Sequence, residues 1–369
     1  MKIKYFQNFY YPLFLFAIII ATIGLLNLYS ATAGFDKEIN SLFKAQVVYT
    51  GIGVFGMIIA SMLSIKNLYK LTPFLYVGAI GLLVLVLVMG AKVHGAMSWL
   101  DLGFVRLQPS EFGKIGLILL LSRYLSGLQL DRSLSFSEIF IALIIFLVPT
   151  VLVVLQNDLG SSLFYGFLFI TMIFVQGIRI KYIVIGLILL SLVSVISYQY
   201  ILQPYQKNRI ISFMNPELDP RGSGYHLVQS KIAVGSGGMS GKGYLKGESH
   251  RLKFLPERHT DFIFPVLAEE WGFVGSVFTL MMYFLFLVSG TNIATRAESR
   301  FGFFVSIGLV ALFFWHLVIN LGGVLGLLPL TGVPLPLLSY GGSSLVVNWL
   351  AIGTLLSVMK SRTMLFDHS

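Results

Sequence analysis

Cysteine is missing altogether from the 369 residues, which excludes a disulfide framework, thiolate catalysis and any cysteine-held metal. Charge is scarce: Asp, Glu, Lys and Arg make up 11% of the chain and hydrophobic residues 56%, a balance that excludes an ordinary soluble domain. The apolar runs are continuous and of helical length, without the ten-residue alternation of a transmembrane barrel. Nothing matches the spacing of a phosphate loop, a dinucleotide fingerprint or a zinc metalloprotease, so nucleotide-driven transport has no local support. What is there is an all-α polytopic membrane protein.

Windows of about 20 apolar residues mark about ten spans, near residues 11–30, 45–63, 71–90, 110–126, 138–156, 159–177, 181–200, 262–289, 301–325 and 340–359. The basic tip at Lys2 and Lys4 precedes a long apolar run without a small-residue cleavage site, which reads as the first span and not as a signal peptide. Short-loop cations fix the orientation. Lys2, Lys4, Lys66, Lys70, Arg123, Arg132, Arg179, Lys181, Arg296, Arg300, Lys360 and Arg362 fall on one side, and Lys37, Lys44, Lys92, Arg106 and Lys114 on the other. Twelve against five puts both termini in the cytoplasm and the loop over residues 201–261, between spans seven and eight, outside.

That loop is glycine-rich, with eight glycines in the 27 residues from Arg221 to Gly247, and its pattern predicts a short amphipathic helix from Tyr225 to Val234. The glycines suit either a close backbone approach to a large polar ligand or a flexible loop. Beyond them lies the densest charge in the chain, Gly247 to Gly272, carrying Glu248, Glu257, Asp261, Glu269 and Glu270 with His250, Arg251, Lys253, Arg258 and His259. Asp261 is followed at once by Phe262, Ile263, Phe264 and Pro265, so a lone carboxylate stands where water meets hydrocarbon.

Further features face the same side. Glu111 and Lys114 lie three apart at the start of the fourth span, with Pro109 and Ser110 as helix starters; an interfacial ion pair would explain them as well as a site. Asp158 stands where a helix cap is needed. From Gly322 to Trp349, Pro329, Pro334, Pro336 and the run Tyr340, Gly341, Gly342, Ser343, Ser344 break the apolar sequence, so the backbone there must be irregular and must face protein or a cavity. Broken helix ends expose N–H groups able to hold phosphate or carboxylate. Within the spans, His316 and Asn320 sit one turn apart and suit interhelical hydrogen bonds.

A lipid-tailed substrate with a phosphate linkage and a polar head would use the apolar body, the cations and the loop together. Two classes fit: an enzyme acting on a lipid-linked substrate at the outer surface, or a flippase that moves one. The spans lack the central charged relay that ion-coupled transport usually needs, which favours the enzyme.

The stretches RLQPSEFGK, QNDLGSS, NPELDPRGSGYHLVQSKIAVGSGG, PERHTDFIFPVLAEEWGFVG and PLTGVPLPLLSYGGSS, in this order along a match that runs from about Tyr11 to Lys360, resemble the SEDS family of shape, elongation, division and sporulation proteins, most closely its rod-shape branch. The resemblance implies one SEDS-type transmembrane domain over residues 1–369, and polymerisation of lipid II into β-1,4-linked glycan at the outer face of the cytoplasmic membrane. It implies elongation over the division branch, work with a class B penicillin-binding protein within the elongation machinery, and no nucleic-acid partner. It makes Asp261 the catalytic residue and carries Glu111 and Lys114 into the site. Chemistry then assigns Asp261 as general base. Arg251, Lys253, Arg258, His259, Ser343 and Ser344 are substrate-binding candidates, and a divalent cation, magnesium or manganese, is expected with the substrate pyrophosphate, its ligands unassigned. Glu269 and Glu270 lie about 12 and 13.5 Å beyond Asp261 along a helix, too far to share its proton.

Overall fold

The computed structural model describes residues 10–32, 38–93, 96–101, 103, 106–129, 132–219, 222–248 and 259–366. The helices are α1 (Tyr11–Thr32), α2 (Glu38–Met62), α3 (Ile65–Met89), α4 (Pro109–Ser126), α5 (Phe136–Leu155), α6 (Leu159–Gln176) and α7 (Ile180–Ile196), then α8 (Pro204–Met214), α9 (Ser223–Ser236), α10 (Ile263–Thr295), α11 (Arg300–Leu325) and α12 (Gly342–Phe366). Eight of them, α1, α2, α3, α5, α6, α10, α11 and α12, are long and apolar enough to cross a bilayer. The chain is a multi-pass membrane protein.

Helix ends fall where side chains satisfy the free N–H groups of the first turn. The Ser64 hydroxyl accepts from Asn67 N at the start of α3, Ser135 and Glu138 form a reciprocal capping box on α5, and Ser299 caps α11. Gly326, left-handed at φ 73°, closes α11. Some apolar windows are 83% buried in α12 and 61% in α11 but 17% in α5, so α11 and α12 stand at the centre and α5 presents most of its surface outward.

The all-α expectation needs one addition. Ala91–Val93, Ala96–Asp101 and Arg106–Leu107 pair antiparallel as a three-stranded sheet, β1-β2-β3, between α3 and α4. Met97 N donates to Gln156 O at 2.9 Å, which seats the sheet on the end of α5.

The helix foreseen over Tyr225–Val234 is α9, two residues longer at each end. The glycines after it make a close backbone approach, to α10 of the chain itself. At Gly272 (φ 67°, ψ −163°) α10 breaks, and Phe273 N and Val274 N donate to Gly238 O and Met239 O at 2.8 and 3.1 Å. Lys242 N and Gly243 N donate in turn to Glu269 O and Glu270 O, both at 3.0 Å. The backbone groups freed by the break are thus satisfied by a segment that must lie within hydrogen-bond distance. Gly241 has φ 79°, and a Cβ there would run into Glu270 O. Gly241→Ala is therefore expected to cost about 2 kcal/mol or more through strain and collision. A melting curve in detergent reads this, with Ser240→Ala, at an exposed neighbour, unchanged.

Candidate active site

Asp261 sits in a turn, residues 259–262, just before α10. Three successive carbonyls of this turn are taken by the proline-broken segment and its neighbour helix. Tyr340 N donates to His259 O at 2.8 Å, Ser339 Oγ to Thr260 O at 2.6 Å, and Asn320 Nδ2 to Asp261 O at 3.0 Å. The clamp is itself braced. Asn320 Nδ2 also donates to Val333 O at 2.7 Å, Gln46 Nε2 to Ser339 O at 3.0 Å, and the Tyr283 hydroxyl to Pro336 O at 2.6 Å. Two residues after Asp261, Asn27 Nδ2 from α1 donates to Ile263 O at 2.8 Å. Since these bonds reach main-chain atoms, they set where the Asp261 backbone lies without engaging its carboxylate.

Beside this turn opens a small cavity, walled by Gln108, Glu111 and Lys114 of the α4 start, Asp158 and Ser161 of the α6 start, and the segment Thr331–Pro334. Gly332 joins it to Asp261: a Cβ on Gly332 would lie 3.4 Å from Asp261 Oδ2 and 3.8 and 3.9 Å from two guanidinium nitrogens of Arg209, on α8. Carboxylate and guanidinium thus converge where residue 332 has no side chain. Its φ of 73° is also one that glycine adopts freely.

Lys114 is 1% exposed, and a buried ammonium needs partners. It donates to Glu111 Oε1 at 2.7 Å and lies 3.0 Å from His316 Nε2, with its charge 5.0 Å from the centre of the Phe164 ring. The pair read as an interfacial bridge or a site is therefore buried in the cavity wall, with side chains 2% and 7% exposed. Asp158 does cap α6, accepting from Ser161 N at 3.0 Å. It also accepts from Ser161 Oγ at 2.8 Å and Gln108 Nε2 at 3.2 Å, which ties the starts of α4 and α6 around the cavity mouth.

The remaining candidates divide. His259 keeps its ring edge-on to Tyr340, centroids 5.9 Å apart. Ser343 donates to Arg106 O at 2.9 Å and accepts from Gln108 N at 3.0 Å, so its hydroxyl staples the start of α12 to the chain entering α4. Ser344, partly exposed, is in the first turn of α12 and is not among the cavity-wall residues. Arg251, Lys253 and Arg258 lie outside the described residues. Glu269 and Glu270 anchor the glycine-rich loop: Glu269 accepts from Lys242 Nζ at 2.8 Å, and Glu270 from Ser30 Oγ at 2.6 Å and Gly247 N at 3.3 Å. That bond to Glu269, with Glu248 nearby, holds the Lys242 ammonium above its usual range. On α9, burial pushes the His226 imidazole below its usual range, against the opposing charge of Asp219. Arg209 is not singled out by the sequence, and Thr331–Pro334 only as part of the proline-broken stretch that must face protein or a cavity. Nothing distinguishes Arg209 from the other cations of a long loop until α8 is folded against residue 332.

Residues 11–364 match the model of the cell cycle protein family of FtsW, RodA and SpoVE. The chain is 40% identical over 324 residues to the peptidoglycan glycosyltransferase MrdB of Escherichia coli K12, covering 88% of this chain and 87% of that one. It is 38% identical over 357 residues to stage V sporulation protein E of Bacillus subtilis, covering 94% and 96%. Among solved structures, a chain described under the structural coordination of polymerization and crosslinking by a peptidoglycan synthase complex superposes with a TM-score of 0.80 at 32% identity, covering 95% of this chain and 98% of its own. The crystal structure of the rod shape determining protein RodA of Thermus thermophilus superposes with a TM-score of 0.71 at 30% identity, covering 95% and 96%. With a match that runs almost end to end in both sequence and fold, the chain belongs to the FtsW, RodA and SpoVE family, the SEDS proteins.

Proposed function

We propose that this protein is a peptidoglycan glycosyltransferase that polymerises lipid II at the membrane, with Asp261 as general base. The observation that carries the reading is the clamped turn: a carboxylate whose three neighbouring carbonyls are all held, opening beside a cavity that contains a buried ammonium. A proton acceptor of fixed position and a fixed cation are what glycosyl transfer from a pyrophosphate needs. Membership of a family that includes curated peptidoglycan glycosyltransferases supports it.

In this mechanism the 4-hydroxyl oxygen of the acceptor N-acetylglucosamine attacks the anomeric carbon of the donor and gives its proton to Asp261. The bond from that carbon to the lipid pyrophosphate breaks, and the electron pair leaves with the phosphate oxygen. A single displacement inverts the carbon, so an α-linked donor yields a β-1,4 bond. Lys114 stabilises the departing negative charge, with Glu111 holding Lys114 in place. Arg251, Lys253 and Arg258 are retained as phosphate contacts, and His259 and Ser344 as contacts to the sugar or peptide.

The donor set also suits a hard cation. Glu111 and Asp158 bring oxygen ligands to the cavity wall, yet each already accepts hydrogen bonds, from Lys114 and from Ser161 and Gln108. Magnesium or manganese would be held by them and mainly by substrate pyrophosphate, and when bound would neutralise leaving-group charge. Excess chelator is expected to stop polymerisation and either ion to restore it; full turnover in chelator would remove the ion from the reading.

In the proposed membrane arrangement α4 and α7 complete ten spans, residues 1–369 form one transmembrane domain, and residues 201–261 form its extracytoplasmic loop. Burial of Glu111 and Lys114 in partners supports α4 as a span despite its charges. Arg123 bonds Tyr69 O, and Arg300 bonds Leu128 O, at the end of the bundle away from the cavity, in keeping with cytoplasmic termini. The partner is a class B penicillin-binding protein, a reading supported by the synthase complex of a structural relative. Co-purification in mild detergent with a matched partner is expected. The rod-shape relative supports elongation over division.

The test against a flippase is chemical. Lipid II in detergent has no membrane to cross, so a flippase makes no polymer there. The enzyme, with a partner whose transpeptidase serine is inactivated, is expected to make long glycan strands. No polymer from the intact complex, together with lipid II translocation in liposomes, would overturn the reading.

A further inference from the structure

His316 is 1% exposed in α11, and the reaction as described gives it no task. Its two ring nitrogens have unlike neighbours. Nδ1 lies 2.7 Å from Leu312 O, and Nε2 lies 3.0 Å from Lys114 Nζ. A carbonyl oxygen can only accept, so Nδ1 carries the proton; an ammonium can only donate, so Nε2 offers its lone pair. The ring is therefore a neutral relay with one tautomer, pinned at its back by its own helix and facing Lys114.

The Lys114 ammonium has three N–H bonds in tetrahedral array. Glu111, on the same helix, takes one at 2.7 Å, and His316, from across the bundle, takes a second. The Phe164 ring lies against both, 5.0 Å from the ammonium and 4.2 Å between centroids from the imidazole, and leaves little room for another arrangement. Two directed bonds from different helices fix the direction of the third. Lys114 itself is one of the residues that wall the cavity. Glu111 alone would leave the ammonium free to swing about one bond.

We propose that His316 is a positioning residue for Lys114, accepting one of its N–H bonds so that another is held toward the cavity, where the pyrophosphate of the lipid-linked donor receives it. This rests on the lipid II reading of the cavity. His316 touches no substrate.

Two substitutions separate this role from simple core packing. Glutamine can put a carbonyl oxygen where Nε2 stands and keep an acceptor for Lys114; asparagine reaches only as far as Nδ1 and keeps the bond to Leu312 O. In the full chain with its partner, His316→Asn is expected to lower kcat/KM for lipid II polymerisation about tenfold or more, and His316→Gln to stay within about threefold of wild type. A packing role predicts instead that activity follows melting temperature in both, with no advantage for Gln, and that result would overturn the proposal. A second measurement does not depend on activity. In ¹⁵N-histidine-labelled protein, the signal lost in His316→Gln is expected to be an Nδ1-protonated ring whose Nε2 resonance moves in Lys114→Met. An Nε2-protonated ring overturns the proposal. Should the wild-type complex make no polymer, the lipid II reading fails while the tautomer still decides whether His316 accepts from Lys114.

Discussion

Asp261→Asn is expected to abolish polymerisation, by about a thousandfold or more, while the protein remains folded and binds lipid II. The amide keeps the shape of the carboxylate and loses the basic oxygen, so a change in rate reports proton transfer and not packing. Stability should hold because the turn is fixed through main-chain carbonyls, which the substitution leaves with Tyr340 N, Ser339 Oγ and Asn320 Nδ2. The measurement is glycan strand length from lipid II beside a melting curve. Polymer at a tenth of the wild-type rate or better would remove Asp261 from the role of base.

Glu111→Ala should have the largest effect on stability. It strips the one carboxylate bonded, among the described residues, to an ammonium that is 1% exposed, leaving Lys114 with a neutral imidazole and the face of Phe164. Breaking a buried pair on one side costs about 3–5 kcal/mol, because the orphaned charge stays desolvated. Removing the other charge as well should relieve most of it. The double substitution Glu111→Ala with Lys114→Met is therefore expected to melt closer to wild type than Glu111→Ala alone, and to remain inactive, since stability and leaving-group stabilisation depend on the pair in different ways. Equal melting of single and double variants would mean the ammonium finds other compensation.

Local rules carried much of the fold. Continuous apolar runs gave the spans, and Pro109 and Asp158 start α4 and α6 as their chemistry requires. The prolines from Pro329 to Pro336 do lie in a stretch without helix, with Pro334 in the cavity wall and Pro336 buried. Local rules stopped at contacts between distant segments. Tyr340 meets His259, Asn320 meets Asp261, and Lys114 meets His316, 202 residues away; none of these has a periodic or compositional signal. The sheet over residues 91–107 was missed because its strands are two to six residues long, too short for an alternating pattern to stand out. The glycines of residues 237–243 were ambiguous for a different reason: a close approach is written in the sequence, but what is approached is not. Here it is the backbone of α10 at its break.

The central claim is that glycosyl transfer takes place at the cavity between Lys114 and Asp261, and an experimental structure of the Asp261→Asn complex bound to lipid II tests it most directly. A sugar pyrophosphate is expected in the space walled by Glu111, Lys114, Asp158 and Gly332, with a phosphate oxygen at Lys114 Nζ and an acceptor 4-hydroxyl within about 3.2 Å of the side chain of residue 261. Lipid II bound with its reducing-end pyrophosphate on another face of the bundle, and this cavity filled by water alone, would contradict it.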